Sequence, residues 1–316
     1  MERTQGEVGH LNITKRLSYF LMGVAAVCWG TSGTMTVLAI DNGATANQVA
    51  VFAAIFSALI LLPLIRAFDK GSLRVRRKDL LPLLVFGTLT GAVFSLAWYN
   101  CVDLTSVTTA LILLYTYPSI VTIASVFLLG EKMTVAKGVA LPLTFIGCVL
   151  VAEAYDLENI EVNIVGIALG LYTGVAAAAY YLWTKVWLRE YSSNTVALYL
   201  AMFTVPGVVL LSGAGGLAVA SLPLEAWVLI FLIGLVPGTI GFVLSMVALR
   251  HIEASKASIV ASIEPVAGVA IAVVAIAEKV SMLQMVGVAL VVSGVVLLRF
   301  AHREEPEPIV EAPPSR

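Results

Sequence analysis

The chain has 316 residues, of which 59% are hydrophobic and 12% charged, and its net charge is −1. A water-soluble domain carries about 25% charged and about 45–50% apolar residues; this composition excludes an ordinary soluble core and suits lipid. A near-zero charge leaves no basic field for nucleic acid, and Cys28, Cys101 and Cys148 lie far apart with no CxxC or metal-ligand spacing, so no metal or cofactor is expected.

Residues 1–16 are polar, lack the order of a cleaved signal peptide, and read as a cytoplasmic tail. Ten apolar stretches follow, each near the roughly 20 residues that a membrane span needs: Leu17–Ile40, Asn47–Ile65, Leu80–Val102, Val107–Leu129, Gly138–Ala152, Ile164–Val186, Thr195–Ser212, Glu225–Leu249, Ser255–Ala277 and Leu283–Phe300. The fifth is short. Backbone polar groups cannot be left unpaired in hydrocarbon, so all are expected to be helices, giving an all-α integral membrane protein with ten transmembrane helices. Residues 301–316, rich in Pro and Glu, cannot bury a core and are expected to be disordered in the cytoplasm.

Lysine and arginine favour cytoplasmic loops. With the N-terminus inside, 18 of the 19 basic residues fall on cytoplasmic segments or span ends, and only Lys279 falls outside. Both termini are then cytoplasmic. The segment 154–163 is acidic, lacks Lys and Arg, and reads as an extracytoplasmic linker.

Sliding the chain on itself by 147 positions lays Thr105–Val151 on Ile252–Leu298 with 11 of 47 pairs identical. Pro118 meets Pro265, Glu131-Lys132 meets Glu278-Lys279, and Gly147 meets Gly294. Such a register marks an internal repeat, with halves at 17–153 and 164–300. Five spans per half force the second copy to be inverted in the membrane, which accounts for Lys279 as the outward copy of Lys132. Inverted repeats of this kind occur in secondary transporters, with the substrate site near the midplane between halves.

Trp29-Gly30 in the first span, Pro118 followed by Gly130-Glu131, Glu264-Pro265 followed by Ala277-Glu278, and Gly287 with Gly294-Val295 together resemble the EamA branch of the drug/metabolite transporter superfamily. The resemblance covers Leu17 to Phe300. It implies secondary-active export of small metabolites, often amino acids or related compounds, from the bacterial cytoplasm. It supplies no catalytic signature, so candidate sites come from this chain's own residues.

Glu264 is the first candidate. A charged acid at the bilayer centre costs roughly 3 kcal/mol on insertion scales. Helical spacing puts it on one face with Ala257, Ala261 and Gly268, and small residues mark close helix contact in membranes. It serves either as a proton carrier or amine partner, or as a protonated carboxyl bonded to a carbonyl freed by Pro265. Ser255, Ser258 and Ser262 form a polar stripe that either lines a path or bonds between helices. Trp29, mid-span, either closes over a substrate or packs beside Gly30 and Gly33. Tyr115, Tyr117 (the copy of Glu264) and Tyr180 are further binding candidates, packing being the alternative. Trp98, Tyr99, Trp183 and Trp187 read as belt anchors near span ends. Pro118 and Pro265 form a symmetric pair of hinge candidates.

A membrane enzyme would need clustered His, Asp or Glu; the three histidines, His10, His251 and His302, are not deep in any span. No phosphate-binding GxxxxGK[ST] loop and no filter-like sequence is present. A transporter with a small-molecule substrate and a lipid environment is the expectation, in the bacterial cytoplasmic membrane. A multi-drug or other small-solute facilitator or a channel is the alternative.

Overall fold

The structure, a computed structural model, describes residues 15–68, 74–153, 163–217, 222–276 and 281–301. The expectations for the two tails, most of the linker and the pair Glu278-Lys279 lie outside these residues. The described residues are helical, with no strand among them. Eight helices are long and apolar enough to cross a membrane, and two shorter apolar helices accompany them.

In chain order the helices are α1 (Lys15–Asp41), α2 (Ala46–Phe68), α3 (Leu80–Gly87 and Phe94–Leu104), α4 (Val107–Leu114 and Tyr117–Leu129) and α5 (Val135–Val151). Then come α6 (Ile164–Glu190), α7 (Ser193–Gly216), α8 (Leu224–Leu235 and Phe242–His251), α9 (Ala254–Ala261 and Glu264–Ile276) and α10 (Met282–Ala301). The short members of the set are α5 and α10. Large apolar side chains such as Phe20, Leu59, Phe127, Ile164, Leu210 and Met282 point outward, as lipid-facing positions do.

The repeat is written into the interruptions. Adding 147 to the ends of both α4 segments gives the ends of both α9 segments. Proline supplies the cause. It has no N–H, and its ring crowds the carbonyl four residues earlier; for Pro118 and Pro265 those carbonyls belong to Leu114 and Ala261, where the first segments end. The breaks, Tyr115–Thr116 and Ser262–Ile263, tighten into three-residue bonds: Thr116 N–H to Leu113, Ser262 to Ile259 and Ile263 to Val260. Both hinge candidates thus sit at true helix breaks.

A second matched pair is not visible in the sequence. α3 and α8 each widen into a π-helical stretch, Thr88–Val93 and Val236–Gly241. Such stretches gather at functional sites. Carbonyls loosened in α8 are taken up by side chains: Ser57 Oγ donates to Gly238 (2.8 Å) and Thr239 Oγ1 to Gly234 (2.8 Å).

α5 and α10 pack chiefly on each other. Their crossing needs glycine. A Cβ on Gly147 would lie 2.8 Å from the Gly287 carbonyl oxygen and 2.9 Å from the Val291 nitrogen, and one on Gly294 would lie 3.0 Å from the Ala140 carbonyl oxygen. Ala140 and Gly287 are themselves copies, so the two contacts are one contact seen from either half. α1 crosses the second segment of α9 similarly: a Cβ on Gly30 would meet the Glu264 carbonyl oxygen at 2.7 Å. The sequence match between Gly147 and Gly294 therefore has a packing reason.

Candidate substrate cavity and the polar seam beside it

A cavity of about 180 Å³ lies where the interrupted helices meet. From the first half it is lined by Trp29, Ser32, Phe94, Trp98, Tyr99 and Tyr117, and from the second by Tyr180, Tyr181, Phe242 and Glu264, with small residues of α2 and α7 between. Glu264 opens the second segment of α9 at the proline break, and Tyr117 opens the matching segment of α4. The two copies face one space.

The aromatic groups are tightly placed. Tyr117 stacks on Tyr181 (5.4 Å between centroids, 7° between planes). Tyr180 stands edge-on to Tyr181 and to Phe242, and Trp29 edge-on to Phe242. The Tyr180 hydroxyl is 2.7 Å from Ser245 Oγ, and Tyr117 donates to the Ser258 carbonyl at 3.4 Å. Tyr115 does not line the cavity; its ring is buried behind Tyr117. Its hydroxyl lies close to the Glu264 carboxyl but outside hydrogen-bonding geometry. Buried polar atoms without a partner are uncommon. Here the Trp29 Nε1 and Tyr181 hydroxyl are also such atoms.

Ser258 and Ser262 are buried but are not cavity-lining residues. Ser258 Oγ donates to the Ser255 carbonyl and Ser255 Oγ bonds to Glu131, so those two hydroxyls are spent within and between helices; the Ser262 backbone carbonyl accepts from Cys148 Sγ. Trp98 and Tyr99 differ from the belt expectation. They are 5% and 8% exposed and form cavity wall, because they stand on the face of their segment that is turned into the bundle. Trp183 does lie at the surface. Tyr181 was not singled out by the sequence, although it adjoins Tyr180.

A polar seam joins the halves at the end of the bundle where α4 stops. Gly130, in the left-handed conformation (φ +70°), turns the chain after α4 and presents Glu131 to the start of α9. A helix N-terminus leaves N–H groups without intrahelical partners. Those of Ala254 (2.7 Å) and Ser255 (3.3 Å) donate to the Glu131 carboxylate, and Ser255 Oγ also bonds to it. Lys137 Nζ lies 3.4 Å from Glu131, 2.8 Å from Glu253 and 2.8 Å from the Lys132 carbonyl. Lys256 reaches Glu253 at 3.3 Å. The Lys137 side chain is 2% exposed and that of Glu131 7%. Burial pushes the Glu253 carboxyl up, but Lys137 and Lys256 together outweigh it and hold it below the usual range. Nearer the surface, Arg76 pairs with Asp79 and Glu190, and Tyr191 donates to Asp79.

Glu131 has an acidic copy, Glu278, but the copies of Lys137, Glu253 and Lys256 are neutral. Position 137 has the copy Gln284, 253 has Ser106, and 256 has Thr109. Ser106 caps its own helix by accepting from Thr109 N–H at 3.1 Å. The first half caps itself where the second borrows a carboxylate from its partner. No group of three or more His, Cys, Asp or Glu that could hold a metal occurs among the described residues.

A multi-pass helical bundle enclosing a solute-sized cavity between two repeats is the architecture of a membrane transporter. The profile of the EamA-like transporter family matches residues 16–152 and again 164–300, and the chain belongs to that family. It is 28% identical over 268 residues to an uncharacterised transporter of Archaeoglobus fulgidus, covering 84% of this chain and 91% of that one. It is 22% identical over 286 residues to the uncharacterised inner membrane transporter YicL of Salmonella typhimurium, covering 89% and 94%. A solved crystal structure shares the fold, with a TM-score of 0.75 at 18% identity over 92% of this chain and 100% of that one.

Proposed function

We propose that this protein exports small metabolites, amino acids or related compounds, across a bacterial cytoplasmic membrane by alternating access. The two five-helix halves are inverted with respect to each other, α5 and α10 complete a set of ten spans, and both termini are cytoplasmic. Pro118 and Pro265 act as hinges, and Glu264 acts as the group that couples a proton to solute binding. One observation carries this reading: the cavity is walled by both repeats and holds a single carboxyl at a helix break. A buried ionisable group in a membrane bundle marks a solute or proton path more often than it serves packing. The excess of Lys and Arg on one set of loops supports the orientation.

Glu264→Gln, reconstituted in liposomes and assayed with a panel of amino acids and related amines with and without a pH gradient, is expected to lose uptake at least about tenfold, equivalent to about 1.4 kcal/mol. Circular dichroism monitors folding. Wild-type uptake with an unchanged response to the pH gradient would remove Glu264 from the coupling role. Failure of the wild type to move any panel member would remove the substrate class.

A further inference from the structure

The cavity has a charge bias that its position between repeats does not explain. Glu264 is its one ionisable acid, and no Lys, Arg or His lines it. Lys185, one helical turn beyond Tyr181 on α6, is committed elsewhere: its Nζ donates to the carbonyls of Leu249 (2.6 Å) and Ile252 (2.7 Å). No positive side chain is therefore available in the wall to meet a carboxylate.

The rest of the wall favours a cation. Aromatic faces carry partial negative charge and attract ammonium groups. Trp29, Trp98, Tyr99, Tyr117, Tyr180 and Tyr181 gather on the space that Glu264 enters. The Trp29 N–H and the Tyr181 hydroxyl stand buried without partners. They suit one neutral oxygen or ring acceptor on a ligand. They do not supply the formal charge that a buried carboxylate needs for compensation. A zwitterionic amino acid would satisfy its ammonium against Glu264 and leave its carboxylate uncompensated beside the same acid.

We propose that the site takes organic ammonium compounds without a free carboxylate, such as primary amines or amino-acid esters and amides, in preference to zwitterionic amino acids and to acids. This preference rests on the cavity being the substrate site, as proposed above. Three probes isolate it, because they share a ring and chain and differ in their ionic groups: phenethylamine, phenylalanine and 3-phenylpropionate. Their binding is measured by isothermal titration calorimetry on the full-length protein in lipid nanodiscs. Phenethylamine is expected to bind at least about tenfold more tightly than phenylalanine, about 1.4 kcal/mol, with 3-phenylpropionate weakest. Glu264→Gln is expected to erase that order, and Tyr181→Phe, which removes a donor that phenethylamine does not use, to leave it intact.

Two cavity-filling changes, Ala201→Trp and Ala54→Trp, separate the failures; either suffices if the other does not fold. If phenylalanine binds the wild type as tightly as phenethylamine and filling the cavity abolishes both, the charge preference is overturned and the cavity survives as the binding site. If no probe binds, or binding persists in filled variants and in Glu264→Gln, the preference and the cavity reading fall together.

Discussion

Lys137→Met is expected to lower the stability of the folded protein by about 3–5 kcal/mol, the loss typical of removing one partner from a buried ionic set. The side chain of Lys137 is almost wholly buried, and its ammonium serves Glu131, Glu253 and the Lys132 carbonyl together. Methionine keeps the volume of the stem and removes the charge. Glu131 would then keep only the N-terminus of α9 and Ser255 as partners, and Glu253 only Lys256. The exposed cluster of Arg76, Asp79 and Glu190 bridges the same halves, yet exposed pairs contribute only about 0–1 kcal/mol, so it cannot stand in. Thermal unfolding in detergent against the wild type measures the loss. A triple variant, Lys137→Met with Glu131→Gln and Glu253→Gln, is expected to recover much of it, because no orphaned charge remains. A single variant within about 0.5 kcal/mol of the wild type would show the seam to be solvated.

The same seam gives stability a pH dependence of definite sign. The folded-state value of Glu253 is depressed, so its contribution is fully present above the unfolded carboxylate value of about 4.3. It is lost as pH falls through the lower folded value. Acid, not base, loosens this end of the molecule.

Gly147→Leu is the second large effect. Its side chain would start within 2.9 Å of backbone atoms of Gly287 and Val291, and backbone cannot swing aside as a flexible side-chain tip can. Overpacking of this kind costs about 1–3 kcal/mol, and here the cost falls on the main contact that holds α10. Gly294→Leu, at the copy position against Ala140, is expected to behave alike. Gly138→Leu is the control: nothing lies within 4 Å of its added Cβ, so it should unfold with the wild type. Equal stability of all three variants in detergent and in bilayers would mean that the helices separate at little cost.

Much of this arrangement could be read from the chain. Apolar length located the helices, and a shift of 147 residues aligned the very prolines that break α4 and α9. Glu264, Trp29, Tyr117 and Tyr180 were legible as cavity candidates because each is a polar or amphipathic group set in the middle of an apolar run. The π-helical turns were not legible: Thr88–Val93 has no residue type that demands an extra residue per turn, and the stretch packs against α7, which begins only at Ser193. Trp98 and Tyr99 were misplaced because closeness to a span end does not say whether a side chain faces lipid or the bundle interior. The seam was hidden differently. Glu131 and Ala254 are 123 positions apart, and a carboxylate that caps a helix of the other repeat leaves no local spacing to read.

An exact duplication whose halves exchange conformations would have two end states of equal energy, related by swapping the roles of the copies. Each position where the copies differ lifts that degeneracy. Lys137 against Gln284, Glu253 against Ser106 and Lys256 against Thr109 all place their charges at the one seam where α4 stops. Tyr117 against Glu264 places the one cavity acid on a single half. Were the halves to exchange conformations as proposed, the differences at these pairs, together with those at the other unmatched positions, would set the gap between the two end states.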